Sequence, residues 1–202
     1  MFVHDMKRNK QITTTTTSFG DFVLYLPVMT DESRTAALKQ LNAAQCPDFL
    51  FSEKCPSDLN GLSFGQYSDI CNAMKSGDHI AAMIEFCHVV FSIDDADIMG
   101  ANVFDVFGFA TMVCKEIERI TKLFNSINVI HSAEEEQAGV KRLQFGVFGM
   151  LDWYARRMGI TDHNEVNRVS WLRIYQCLKN DSEENAYQRR LQKVYNDKMK
   201  KK

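Results

Sequence analysis

Several residue groups in this chain have the types and spacing of chemical sites. Gly61, Leu62, Ser63, Phe64 and Gly65 match the G-x-S-x-G elbow, whose strained strand-to-helix turn projects a nucleophilic serine toward a histidine and an oxyanion hole. The elbow needs a buried strand before it and βα alternation around it. Here Pro56 to Asn60 is turn-like and helical patterns follow, so Ser63 is expected to be a helix N-cap with Gln66 completing a capping box. Glu85 and His88 have the E-x-x-H spacing of helical carboxylate metal sites, and His131 with Glu134 offers the pair reversed. A di-iron bundle needs two such motifs plus two further glutamates facing one interior, and no clear second motif exists. Asp94, Asp95 and Asp97 lack the glycine and distal glutamate of a calcium loop and are expected to mark a helix boundary. The cysteines contain no C-x-x-C pair. We therefore expect no catalytic residue, no cofactor and no metal, and a protein that is not an enzyme.

The elements around these residues are helical. Ile12 to Thr17 is β-branched, Ser18 to Asp21 has turn chemistry with Gly20, and Phe22 to Val28 is apolar and aromatic. This reads as a short amino-terminal β-hairpin, or as a flexible arm if Thr13 to Thr17 stay unpacked. Thr30 with Asp31 and Glu32 predicts a short helix ending before Pro47, and residues 46–62 read as an irregular linker. Helices are predicted from Phe64 to Lys75, after the cap Asp78, and from about Asn102 to Ile127. In the last of these, Val106, Phe109, Ala110, Val113, Ile117, Ile120, Phe124 and Ile127 form one apolar stripe. Ser132 with Glu135 predicts a second capping box on a helix continuing to Met158. Gly139, Gly146 and Gly149 within it cost roughly 1 kcal/mol each against alanine, which points to a close crossing or a break near Gly146. Gly159 should end that helix, Thr161 or Asp162 should cap a short one, Ser170 to Leu178 should add a turn or two, and Ser182 should start a tail helix. The fold class is mainly α, a multi-helix bundle with that short N-terminal hairpin and a C-terminal helical extension. Its expected divisions are an arm and short helix over 1–50, a helical domain over 51–178 and a basic tail over 179–202.

The 202 residues, 45% hydrophobic and 25% charged, suffice for a packed core. A formal net charge of -2 gives no broad electrostatic footprint for nucleic acid. Six cysteines without scaffold spacing fit a reducing compartment. No stretch approaches a membrane span and the amino terminus has no apolar leader core, so we expect a soluble protein that engages no membrane.

The densest aromatic segment runs from Asp152 to Tyr175 and holds both tryptophans. Trp153, Tyr154, Arg156, Arg157, Trp171, Arg173 and Tyr175 are the candidate partner-binding residues, because aromatic and Arg side chains carry much of the energy of protein interfaces. The alternative is that both tryptophans close a carboxy-terminal core. Ala155 to Val169 also invites a helix-turn-helix reading, but its second helix would bring Asp162 and Glu165 toward phosphate.

The segments Pro56 to Ile70 and Asp152 to Leu178, with the helical middle and its acidic break, resemble in layout the small helical assembly proteins of tailed bacteriophages, particularly the tail assembly chaperones. The resemblance spans about residues 50–202 and rests on no diagnostic motif. It implies a non-enzymatic protein of the host cytoplasm that binds the helical tape measure protein and recruits tail tube subunits; a homo-oligomer is a further expected partner state. Structural virion proteins such as connector or neck components are the second reading, and a helix-turn-helix DNA-binding regulator the third. A tape measure helix would be recognised through apolar anchors at i, i+3, i+4 and i+7.

Overall fold

The computed structural model describes residues 17–127, 131–143 and 145–200. The fold is mainly α, with ten α-helices and a two-stranded antiparallel hairpin among the described residues. The described residues divide into two compact units, neither contiguous: unit 1 falls within residues 17–57 and 73–115, and unit 2 within 58–72 and 116–200.

Unit 1 begins with α1 (Phe19–Tyr25), capped by Ser18, whose hydroxyl accepts from the Asp21 N–H at 3.1 Å. The strand expected at Phe22 to Val28 is thus corrected to a helix followed by a 3-10 turn at Leu26–Val28. Its partner segment, Ile12 to Thr17, lies outside the described residues except for Thr17. Helical spacing places Phe19 and Phe22 on one face, where both are buried with ring centroids 6.4 and 5.5 Å from that of Phe107. That packing outweighs the strand propensity of the segment. Thr30 caps α2 (Asp31–Leu41) as its sequence predicts.

The observed hairpin pairs β1 (Phe49–Leu50) with β2 (Glu53–Lys54), inside the segment expected to be irregular. Its two-residue turn, Phe51 and Ser52, has φ of 53° and 65°. Positive φ at both turn positions is the primed geometry that normally selects Asn and Gly. Here the Phe51 ring is held edge-on to Phe91 at 5.4 Å.

Helix α3 (Phe64–Lys75) contributes residues to both units; α4 (His79–Phe91) and α5 (Asp95–Gly100) belong to unit 1. Asp78 caps α4, and Asp94 caps α5 by accepting from the Asp97 N–H. The acidic run is therefore a helix start. Helix α6 (Val103–Asn125) gives residues through Lys115 to unit 1, where Val106, Phe109, Ala110 and Val113 are buried and Phe109 packs on Phe91 at 5.0 Å. Gly108 is required by a close approach: a Cβ there would lie 2.0 Å from the Gln45 carbonyl oxygen.

In unit 2, Ile117 and Ile120 continue the buried stripe. Ser132 and Glu135 form the expected capping box, but the helix it starts, α7 (Ala133–Gln137), is short. After Gly139 and the 3-10 turn Val140–Arg142, α8 (Gly146–Met158) is a separate element, which corrects the expected continuous helix and places its break just before Gly146. Gly159 ends α8 in the left-handed region and Asp162 caps α9 (His163–Asn167). Helix α10 (Trp171–Lys200) then runs through Ser182, which is mid-helix and no cap. The division expected at residue 178 falls within this helix.

Candidate functional site

Each residue group with chemical spacing has a structural partner. The Ser63 hydroxyl accepts from the Gln66 N–H at 3.2 Å and the Gln66 side-chain oxygen accepts from the Ser63 N–H at 2.9 Å, the reciprocal bonds of a capping box. A backbone bridge to Ser170 flanks this turn, with the Phe64 N–H donating to the Val169 carbonyl at 2.7 Å. His88 lies 2.9 Å from the Asp95 carboxylate and 3.9 Å from Glu85, pairing α4 with the start of α5. Sequence spacing exposed the Glu85 partner but not Asp95, which comes from the next helix. Among the described residues no three His, Cys, Asp or Glu side chains converge as metal ligands. Burial pushes the thiols of Cys55 and Cys87 up to about 12, which leaves them protonated at neutral pH and poor nucleophiles.

The candidate interaction residues separate into two groups within unit 2. Trp171 is fully buried, ringed by Tyr67, Phe124 and Tyr175 at 6.2 to 6.5 Å. Its indole N–H donates to the Leu59 carbonyl at 2.8 Å. The Arg119 guanidinium stands 5.9 Å from the indole, donates to the Asn60 side chain at 2.8 Å and pairs with Glu116 at 2.7 Å. The Leu59 N–H donates to the same carboxylate. That pairing with Arg119, reinforced by Leu59, holds the Glu116 carboxyl below the usual glutamate range although partial burial opposes it. Trp171 is therefore the pin that fastens the 58–62 loop, and as a fully enclosed side chain it is corrected from docking anchor to core. Tyr154, 1% exposed, is corrected in the same way, and Tyr175 is half-buried against Phe124 at 5.5 Å. Arg173 is exposed on α10 and does not line the cleft described next.

Trp153, Arg156 and Arg157 do come together, on the outer face of α8. With Phe145, Phe148, Gly149 and Asp152 they line a surface cleft of about 720 Å³. Phe145 and Phe148 are 67% and 64% exposed, a large apolar area left in water for a chain with a well-filled core. Gly149 makes the arrangement sterically feasible, since a Cβ there would lie 2.4 Å from that of Phe145. Gly146 starts the helix at φ +57°. The Trp153 ring is half-buried, with the Arg157 guanidinium 6.0 Å from its centroid. Arg157 is fixed by two 2.9 Å bonds to Asp181 of α10, which raise its pKa further. Arg156 pairs with Asp152 at 2.7 Å but is 80% exposed, and Phe148 meets His163 edge-on at 5.5 Å.

The sequence reading missed Phe145 and Phe148. Their signal is the set 145, 148, 149, 152, 156, which repeats at three and four residues and defines a second stripe on α8, while Leu151, Tyr154 and Ala155 form the buried one. Helix α9, the recognition helix of the helix-turn-helix reading, has 5 residues and is capped by Asp162. No helix among the described residues is long and apolar enough to cross a membrane. Compared with known protein families, characterised proteins and solved structures, the chain has no match.

Proposed function

We propose that this protein is a non-enzymatic assembly adaptor whose α8 cleft holds an apolar helical segment of a client protein. The observation that carries the reading is the pair Phe145 and Phe148, exposed beside Trp153 in a cleft on α8 to which its buried residues Leu151, Tyr154 and Ala155 do not contribute. An amphipathic helix laid in such a groove buries anchors at i, i+3 and i+4, while Arg156 at the rim favours acidic residues flanking them. Given the resemblance to tail assembly chaperones, we take the client to be a phage tape measure protein, engaged in the host cytoplasm before tail tube subunits assemble around it.

The test is co-purification of this chain with a tape measure protein encoded beside its gene, comparing wild type with Phe148→Ser and Trp153→Ala. Both positions are partly exposed, so the variants should melt within a few degrees of wild type and recover at least about ten-fold less client, as loss of an interface hot spot does. Equal recovery by wild type and both variants refutes the cleft as the docking site. Stoichiometric copies of the protein in purified virions would instead support the structural connector or neck role.

A further inference from the structure

The carboxy-terminal half of α10 carries an apolar stripe that the rest of unit 2 does not cover. Tyr187, Val194, Tyr195 and Met199 are 52%, 49%, 53% and 73% exposed. At about 100° per residue, Glu184, Tyr187, Leu191, Tyr195 and Lys198 fall within about 40° of one line along the helix. Arg189 lies on the opposite side, where it meets Glu135 at 3.5 Å, so the helix turns its other face toward unit 2 and leaves Glu184, Tyr187, Tyr195 and Lys198 exposed, with Leu191 half-buried between them. Neither Glu184 nor Lys198 enters an ion pair among the described residues.

The stripe is nearly palindromic. From Leu191, the tyrosines Tyr187 and Tyr195 are each four residues away, and Glu184 and Lys198 are each seven away, one acidic and one basic. We propose that a second copy of this chain docks on this face, its α10 antiparallel to the first, with a two-fold axis at Leu191. Leu191 then meets its own copy, Tyr187 meets Tyr195 twice, and Glu184 meets Lys198 twice. A parallel pairing would oppose Glu184 to Glu184 and Lys198 to Lys198, so the charges select the antiparallel arrangement. An isologous contact of this kind closes on itself and yields a dimer and no filament. Glu184 to Lys198 spans about 21 Å of helix, a small interface, so the dimer is a weak one that forms at tens of micromolar.

Sedimentation equilibrium on the full chain tests this. The mass should rise from 23.2 kDa toward twice that value as concentration increases to about 300 µM. Leu191→Asp, which replaces the one apolar contact at the axis with two opposed carboxylates, should weaken association by about 100-fold, and Lys198→Glu, which turns two exposed pairs repulsive, by about ten-fold. The double variant Glu184→Lys with Lys198→Glu should recover wild-type association, because the antiparallel pairs are complementary again. Trp153→Ala should leave self-association unchanged, which separates this interface from client docking at α8. Glu184 and Lys198 are exposed and their variants should match wild type in circular dichroism melts; Leu191 is half-buried, so the melt of Leu191→Asp shows that it stays folded, and the charge variants test the interface independently of it. A protein that stays at the monomer mass up to about 300 µM overturns the proposal, as does a dimer that persists in Leu191→Asp. Failure of the double variant to recover association overturns the antiparallel register.

Discussion

Replacing Trp171 with Phe keeps an aromatic ring at the centre of unit 2 while removing the indole N–H that ties α10 to the 58–62 loop. The Leu59 carbonyl would keep one donor, the Leu62 N–H at 3.3 Å, and lose the stronger bond at 2.8 Å. That loss is worth about 0.5–1.5 kcal/mol, because the carbonyl is not left wholly unpaired. The smaller ring leaves a void, and at roughly 24 cal/mol per Å³ a few tens of Å³ add about 1 kcal/mol. Arg119 would stand over a weaker ring, at a further cost of about 0.5 kcal/mol. The sum, roughly 2–3 kcal/mol, is a large share of a typical domain stability of about 5–15 kcal/mol. For a chain of this length it corresponds to a melting temperature about 4–12 °C lower. Trp153→Phe is the control, since Trp153 is half-buried on the outer face of α8 and should lose less than about 1 kcal/mol. Urea unfolding followed by circular dichroism gives both losses on one scale, and in each variant the remaining tryptophan reports unit 2 by fluorescence. If Trp171→Phe loses under about 0.5 kcal/mol, or if the two variants lose equally, the pinning role of Trp171 is refuted.

Gly108→Ala should destabilise by about 1–3 kcal/mol in a urea titration despite alanine's better helix propensity, because its Cβ would collide with the Gln45 carbonyl oxygen; a neutral or stabilising result contradicts that close approach. The Glu116 carboxyl has its folded pKa held below its usual value of 4.5, so its contribution is present above that pH and is lost as pH falls through the folded value. Thermal melts from about pH 5 down to pH 3 should therefore fall less steeply for Glu116→Gln than for wild type, and parallel curves would remove Glu116 from the acid response. Ser63→Ala should cost about 0.5–2 kcal/mol, the worth of an N-cap, and wild-type Ser63 should resist a fluorophosphonate probe. Covalent labelling at Ser63 would revive the hydrolase reading.

Six of the helix starts were legible because a cap is a short-range event, although the same signature at Ser182 lies inside α10 and Ser18, expected in a turn, caps α1. Thr30, Ser63, Asp78, Asp94, Ser132 and Asp162 each bond to a backbone N–H two or three residues on, and nothing distant is needed to predict them. The α6 stripe was legible for the same reason, since 3.6-residue periodicity is written within one segment. Phe22 to Val28 misled because its composition favours strand, whereas its burial is decided by Phe107, far along the chain. The 49–54 hairpin carries no Asn-Gly signal, and its turn is held by the Phe51 contact with Phe91. The tryptophans shared one short segment and had opposite fates for a cause outside it: the Leu59 carbonyl that fixes Trp171 lies 112 residues away in sequence.

That division also bears on why α8 keeps aromatic residues on two faces. Tyr154 on the inner face is buried, so the outer phenylalanines are not needed to close that core. Full burial of a phenylalanine is worth about 1.5–3 kcal/mol, so Phe145 and Phe148, each about two-thirds exposed, together leave roughly 2–4 kcal/mol ungained in the free protein. A client helix that covers them would gain up to that amount, a factor of about 30 to 700 in affinity before Trp153 contributes. Gly149 lowers the helix propensity of α8 by about 1 kcal/mol, and the packing it permits is that of Phe145 against the helix. An exposed apolar face kept at the expense of helix propensity is what a docking groove requires. Gly149→Ala should accordingly displace Phe145 and weaken client recovery even if the melting temperature holds. Retained recovery with Phe145 displaced would assign docking to Phe148 and Trp153 alone.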